Sequence, residues 1–395
     1  MKDETMNDIK TPERMAIVEK VAELGPLFAK RADAIDTNAE FPYENWADLR
    51  AAGLLGIVIP KSHGGLGGDF VAYALASEEL AKHCASTALT FNMHVATTLL
   101  VGEVAGSLGL EGDELAFLEA RREILYKGIV EDGHIHSQPF SEGLAAGATA
   151  GYATRAVPVD GGFLVTGKKI FASLSGASTF HNVLCQVEGE DELRLLGVPH
   201  EGEGVSIEGE WDPLGMRGTD SRNLVMDKVF VAAEHEWLPP GVFNQAANRW
   251  HYFYMTLSFS YLGLMGGIME FTENYLKSSS RRDHPIKQQG WAEMNIKFEQ
   301  AQALCYRTLS EVSVDPSQAQ ITRAWASLVT TMEGCPDIAS TAIRVCGGRS
   351  LLRPSYIERA YRDARCGATM LPWSVEVCLQ RLGAVRLYDN EEVGN

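Results

Sequence analysis

Residues 53–69 read GLLGIVIPKSHGGLGGD, followed at once by FVAYALASEELAKHC and ASTALT. A short apolar run closes on Pro60, and a glycine cluster at 64, 65, 67 and 68 then leads into a helix-period segment. The glycines do not space as G-x-G-x-x-G and no strand–helix–strand unit surrounds them, so this is not a dinucleotide fingerprint. On either side, RMAIVEKVAELGPLFAKRADAID, YENWADLRAAGLL and DFVAYALASEELAKHC carry apolar residues three and four apart, which predicts helices from Thr11 to about Lys127.

Near Gly133 the period changes. HIHSQPF, TRAVPVDGGFLVTGKKIFAS, HNVLCQVEGEDELRLLGVP and LVMDKVFVAAEHEW are short, β-branched and broken by Gly, Asp and Pro, so they predict antiparallel strands with a turn at residues 160–162. From about Asn244 the helical period returns. Helices, then strands, then helices point to separate layers, not to alternating α/β. The expected fold is mainly α with a middle β-barrel, divided at residues 1–130, 131–240 and 241–395.

Composition narrows the function. The 395 residues hold 35 Lys+Arg against 52 Asp+Glu, a net charge of −17. That charge opposes binding to nucleic acid or to anionic lipid. Seven scattered cysteines without a C-x-x-C pair read as reduced thiols of a cytoplasmic protein. The charged N-terminus has no apolar signal segment. Residues 253–271, FYMTLSFSYLGLMGGIMEF, imitate a membrane span but read better as a helix buried in a bundle, so no membrane insertion is expected.

Generic motifs leave the chemistry open. Residues 162–169 nearly spell a P-loop, but Lys169 stands where Ser or Thr is needed. His134-Ile-His136 places two imidazoles together, yet no third ligand stands nearby in sequence, and no metal is expected.

The order of segments says more. Residues 53–69 resemble the G-L-x-G-x-x-x-P-x-x-x-G-G segment of the acyl-CoA dehydrogenase family. Ser137-Gln-Pro139 stands for its Thr-Glu-Pro, and Gly167-Lys-Lys-Ile-Phe171-Ala-Ser173 for its G-x-K-x-W-I-T/S. Gly215-Met-Arg217-Gly-Thr219-Asp-Ser221 resembles its G-x-R-x-S-x-T. Cys346-Gly347-Gly348 and Ile357 to Arg365 resemble its GG and R-D-A-R segments. The resemblance covers nearly the whole chain. It implies a helical domain, a β-barrel and a four-helix bundle, assembled as a homodimer or homotetramer. It implies FAD, with FMN as the alternative, contacted by Ser137, Phe171 and Ser173, with Arg344, Gly347 and Gly348 in the segment holding the adenine half. The implied partners are acyl-CoA or another small substrate and an electron-transfer protein or flavin reductase.

Departures from the family pattern bear on the reaction. The usual catalytic Glu after R-D-A-R falls on Leu371 or Pro372, and the alternative position on the earlier helix falls on Phe253. The family's R-x-x-F-G-x-P-I reads Ser279 to Ile286 here, with Ser for Arg, Arg for Phe and Asp for Gly. Three functions stay open. One is an acyl-thioester dehydrogenase with an atypical base, His251 or Glu376. Another is a two-component flavin monooxygenase of the same superfamily, using His94 beside Ser173. The third is a non-catalytic subunit or thioester-binding module. A CoA phosphate has Arg281, Arg282 and Arg344 as candidate partners.

Overall fold

The computed structural model describes residues 9–143, 152–190, 192–278, 280–370 and 374–387. Helices α1 (Pro12–Asn38), α2 (Tyr43–Ala51), α3 (Phe70–His83), α4 (Ala85–Leu99) and α5 (Gly112–Lys127) come first. The Thr11 side chain caps α1, where Pro12 takes the first turn because its missing N–H has no helical partner to lose. The glycine loop before α3 folds back on itself. Gly64 and Gly67 take φ of +81° and +67°, and a Cβ on Gly65 collides with the Ile59 carbonyl. Asp69 ends the loop and caps α3 by accepting the Ala72 N–H at 2.8 Å, while Arg14 from α1 donates to the same carboxylate at 2.5 Å.

The strands are β1 (His136–Ser137), β2 (Arg155–Val159), β3 (Gly162–Ala172), β4 (Phe180–Val187), β5 (Leu193–Pro199), β6 (Val205–Glu208) and β7 (Arg222–Ala232). They form one curled half-barrel in the order β1-β4-β2-β3-β7-β6, with β5 pairing β4. The expected turn is present: Val159 pairs with Gly162 across Asp160-Gly161, and Gly161 takes φ of +77°. Val165, Val183, Leu196, Leu224 and Val229 fill a small core inside the curl. The P-loop look-alike lies within β3.

Helices α6 (Val242–Arg249), α7 (Thr256–Lys277), α8 (Pro285–Leu309), α9 (Gln318–Cys346), α10 (Tyr356–Cys366) and α11 (Val375–Leu387) complete the chain. The membrane look-alike falls largely on the first part of α7, which is packed inside the protein: Phe259, Tyr261, Leu262, Leu264, Met265 and Ile268 are each at most 2% exposed. Gly263 and Gly267 let its backbone approach α3, because a Cβ on either meets the carbonyl of Glu78 or of Lys82. Ser260 and Ser77 hydrogen-bond at 2.7 Å across that contact. Among the described residues no helix is long and apolar enough to cross a membrane.

Candidate active site

The end of β3 is irregular where a flat ladder would run on. Its pairing with β7 shifts register between Lys169 and Ala172, and Phe171 and Leu174 take φ of +53° and +66°. Left-handed backbone at non-glycine residues costs of order 1–3 kcal/mol and persists only where the surroundings hold it. Here it turns Phe171 outward, 66% exposed, edge-on to Trp211 with ring centroids 6.4 Å apart. The Trp211 Nε1–H is buried and has no partner among the described residues.

Behind this shelf runs a chain of hydroxyls. Ser173 Oγ lies 2.8 Å from Ser221 Oγ, Ser221 Oγ lies 2.8 Å from Thr219 Oγ1, and Thr219 donates to the Met216 carbonyl at 3.0 Å. Backbone bonds from Leu174 and Ser175 to the carbonyls of Thr219 and Asp220, both 3.0 Å, fix the two segments together. Asp363 in α10 anchors the whole turn, accepting the Met216 N–H at 2.6 Å. Burial raises the Asp363 carboxyl to about 6, against the pull of that bond.

At β1 the polar groups are internal. Ser137 is fully buried, with Oγ 2.8 Å from His181 Nδ1, and His181 Nε2 lies 3.0 Å from His200 Nδ1. Asn182 ties the cluster: its amide donates to the Ser137 carbonyl at 2.8 Å and to Thr97 at 3.0 Å, and its oxygen accepts from Trp237 at 2.6 Å. His94 is fully buried too. Its Nδ1 accepts the His136 N–H at 3.1 Å, so its Nε2 carries the proton that points at the Leu55 carbonyl, 3.0 Å away. Burial pushes His94 down to about 4 and His181 to about 3, and holds His136 well below the usual imidazole value. All three are neutral at pH 7.

This placement answers one sequence expectation. His94 has both ring nitrogens engaged inside the protein and does not lie open beside Ser173. His134 and His136 both pack on Phe180, with ring centroids 5.4 Å away. No group of three potential metal ligands occurs among the described residues.

The candidates in the bundle differ from one another. His251 opens a 3₁₀ turn, His251–Met255, ahead of α7. Its Nδ1 is buried and finds no partner among the described residues. Burial first, then the nearby Arg381 charge, lowers its pKa. Phe253 is a buried apolar residue, 6% exposed. Glu376 lies on the exposed side of α11, and Leu371 and Pro372 fall outside the described residues. Arg344 is exposed and pairs with Glu293 at 2.7 Å. Gly347 ends α9 with φ of +85°, and Gly348 follows it. These last three form a separate group at the end of α9.

The groups left open suit a planar heteroaromatic cofactor. An outward aromatic ring, a part-buried Ser173 hydroxyl, and an indole N–H and a buried Gln138 amide nitrogen that have no partner among the described residues are faces and polar groups of the kind a flavin engages. The sequence reading passed over Trp211, Gln138 as a donor, and the roles of Thr219 and Ser221. The last two lay inside a quoted motif, but the link from Ser221 to Ser173 spans 48 positions.

Family models for the acyl-CoA dehydrogenase N-terminal, middle and C-terminal domains match residues 11–105, 141–229 and 243–370. The chain belongs to the acyl-CoA dehydrogenase family. Among its relatives is a putative acyl-CoA dehydrogenase, YdbM of Bacillus subtilis, 26% identical over 371 residues that cover 91% of this chain and 93% of that one. The short-chain-specific acyl-CoA dehydrogenase of Clostridium acetobutylicum is 25% identical, covering 87% of this chain and 88% of its own length. Among solved structures, KijD3 in complex with dTDP superimposes with a TM-score of 0.83 at 21% identity, covering 95% and 97% of the two chains. FMN-bound TdsC of Paenibacillus sp. A11-2 gives 0.82 at 21% identity, covering 94% and 97%. The acyl-CoA dehydrogenase fold is therefore shared along nearly the full chain.

Proposed function

We propose that this protein is a flavin-dependent oxidoreductase that removes the α and β hydrogens of an acyl thioester, with His251 as the proton acceptor. Phe171 offers a ring face to the cofactor, Ser173 and Ser137 meet its polar edge, and Arg344, Gly347 and Gly348 belong to the segment that takes its distal half. When bound, a flavin supplies the two-electron acceptor that receives the β-hydrogen as hydride. The protein's task is the α-proton. Neither sequence position that usually supplies the base carries an acid, so the proton needs another acceptor. His251 lies two residues from one of those positions, and burial keeps its imidazole uncharged at pH 7, with no hydrogen-bond partner for Nδ1 among the described residues. That buried Nδ1 is the observation that carries the reading. As the α C–H bond breaks, its electron pair forms the α,β double bond and the proton passes to Nδ1.

A second reading has a specific observation behind it. Both family base positions are apolar, and TdsC, an FMN-bound neighbour of the same fold, is a dibenzothiophene monooxygenase. In that reading the chain receives reduced FMN from a reductase and transfers oxygen to a small substrate. Mixing the flavin-loaded protein anaerobically with a panel of acyl-CoAs separates the two. Bleaching of the flavin supports dehydrogenation. Oxidised flavin throughout, with oxygen uptake when reduced FMN is supplied, supports the monooxygenase.

A further inference from the structure

The hydroxyl chain behind Phe171 has a direction. A hydroxyl carries one proton and two lone pairs, whereas a carbonyl only accepts. Thr219 Oγ1 sits 3.0 Å from the Met216 carbonyl, so its single proton goes there. In its 2.8 Å contact with Ser221, Thr219 is then the acceptor and Ser221 the donor. Ser221 has spent its proton, so in its 2.8 Å contact with Ser173 it accepts and Ser173 donates. Ser173 is left with lone pairs, and no proton, facing outward. The anchor is firm: the turn bearing Met216 is held by Asp363, and Thr219 and Ser221 are 1% and 6% exposed.

We infer that Ser173 is a hydrogen-bond acceptor towards the bound cofactor, and that the chain Met216–Thr219–Ser221–Ser173 thereby selects the reduced flavin. This inference rests on the proposed flavin seat and adds which redox state the seat prefers. Reduced flavin carries an N5–H donor, whereas N5 of the oxidised ring offers only a lone pair. With a donor opposite Ser173, four hydrogen bonds form: three in the chain and one to the ligand. With an acceptor opposite Ser173, the Ser173 proton must go to the ligand, and the two protons left on Ser221 and Thr219 can satisfy only two of the three chain contacts. One chain bond is lost, to Ser173, to Thr219 or to Met216, according to how many hydroxyls turn round. The difference is one hydrogen bond, a factor of about fivefold in relative affinity. Thr219 and Ser221 act here as positioning residues.

The test is the ratio of dissociation constants for oxidised and reduced flavin, measured anaerobically by protein fluorescence with FMN and with FAD. Thr219→Val is isosteric and removes the anchor, and Ser221→Ala frees Ser173 to donate or accept. Both are expected to move the ratio about fivefold towards the oxidised form, while Ser221→Thr keeps the wild-type ratio. A ratio unchanged in both Thr219→Val and Ser221→Ala, with flavin bound, overturns the polarity while leaving the flavin seat intact. Failure of the wild type to bind FMN or FAD in either state overturns the seat and the polarity with it.

Discussion

Two polar clusters, one at β1 and one at the end of β3, are built from the same kinds of residue and end differently. At β1, His94, His136, His181, Asn182 and Ser137 bond chiefly to one another, to Thr97, and to the Leu55 carbonyl. At the end of β3, Ser173, Ser221 and Thr219 are bonded in one direction only, and the chain stops at a part-buried oxygen beside an exposed ring. The β1 network is nearly closed, with the buried His136 Nε2 the one ring nitrogen of His94, His136 and His181 that has no partner among the described residues. A network of that kind chiefly stabilises the fold. An open network, like the His251 Nδ1 that has no partner among the described residues, has something left to give a ligand.

This contrast can be broken. Its largest expected effect is at His251: replacing it with Ala lowers the rate of flavin reduction by an acyl thioester about 10²–10⁴-fold, the range of a lost general base. Flavin affinity stays within twofold of wild type, on the order of experimental scatter. Stopped-flow absorbance after anaerobic mixing reads both.

Next comes His94→Ala, which strands the His136 N–H and the Leu55 carbonyl and leaves a void. It costs about 3 kcal/mol of stability in a urea titration, while the flavin spectrum stays that of wild type. A changed spectrum with unchanged stability would place His94 at the site after all.

A smaller effect is in pH dependence. The buried imidazoles have folded pKa values below the usual 6.5, near 4 for His94 and near 3 for His181. As pH falls below 6.5 the unfolded chain takes up protons first, so stability is full above that value and declines towards pH 4. The Glu78 and Asp363 carboxyls, raised by burial, work in the opposite direction over part of that window. His94→Gln removes one titrating ring and flattens the slope of unfolding free energy by about 1.4 kcal/mol per pH unit. The smallest effect is at the open end: Phe171→Ala weakens flavin binding by about 1 kcal/mol, with melting temperature nearly unchanged because the ring packs on little else.

The layer order was legible because periodicity changes at Gly133 and again near Asn244, and the resulting helices and strands fall in those bounds. The Gly263 and Gly267 spacing, which imitates a membrane dimer motif, makes sense only with α3 in place, because it is the α3 backbone that fills the gap. Ser137, Phe171 and Ser173 became candidates through motif order alone. Their circumstances were not legible: Ser137 is enclosed by His181 and Phe171 is turned out by a bulge, both consequences of pairing between distant strands. Sequence cannot show that Asn182, 46 positions on, meets His136. The polarity of the Ser173 chain depends on one carbonyl, Met216, whose residue type says nothing of its role.

The measurement that bears most directly on the account is the pH dependence of anaerobic flavin reduction by acyl-CoAs, in wild type and in His251→Gln. The expected result is reduction in wild type that rises with pH and levels off below 6.5, because burial and Arg381 lower the His251 pKa, together with loss of that profile in the variant. Flavin that stays oxidised with every acyl-CoA, or a variant that is reduced as fast as wild type at every pH, would contradict it.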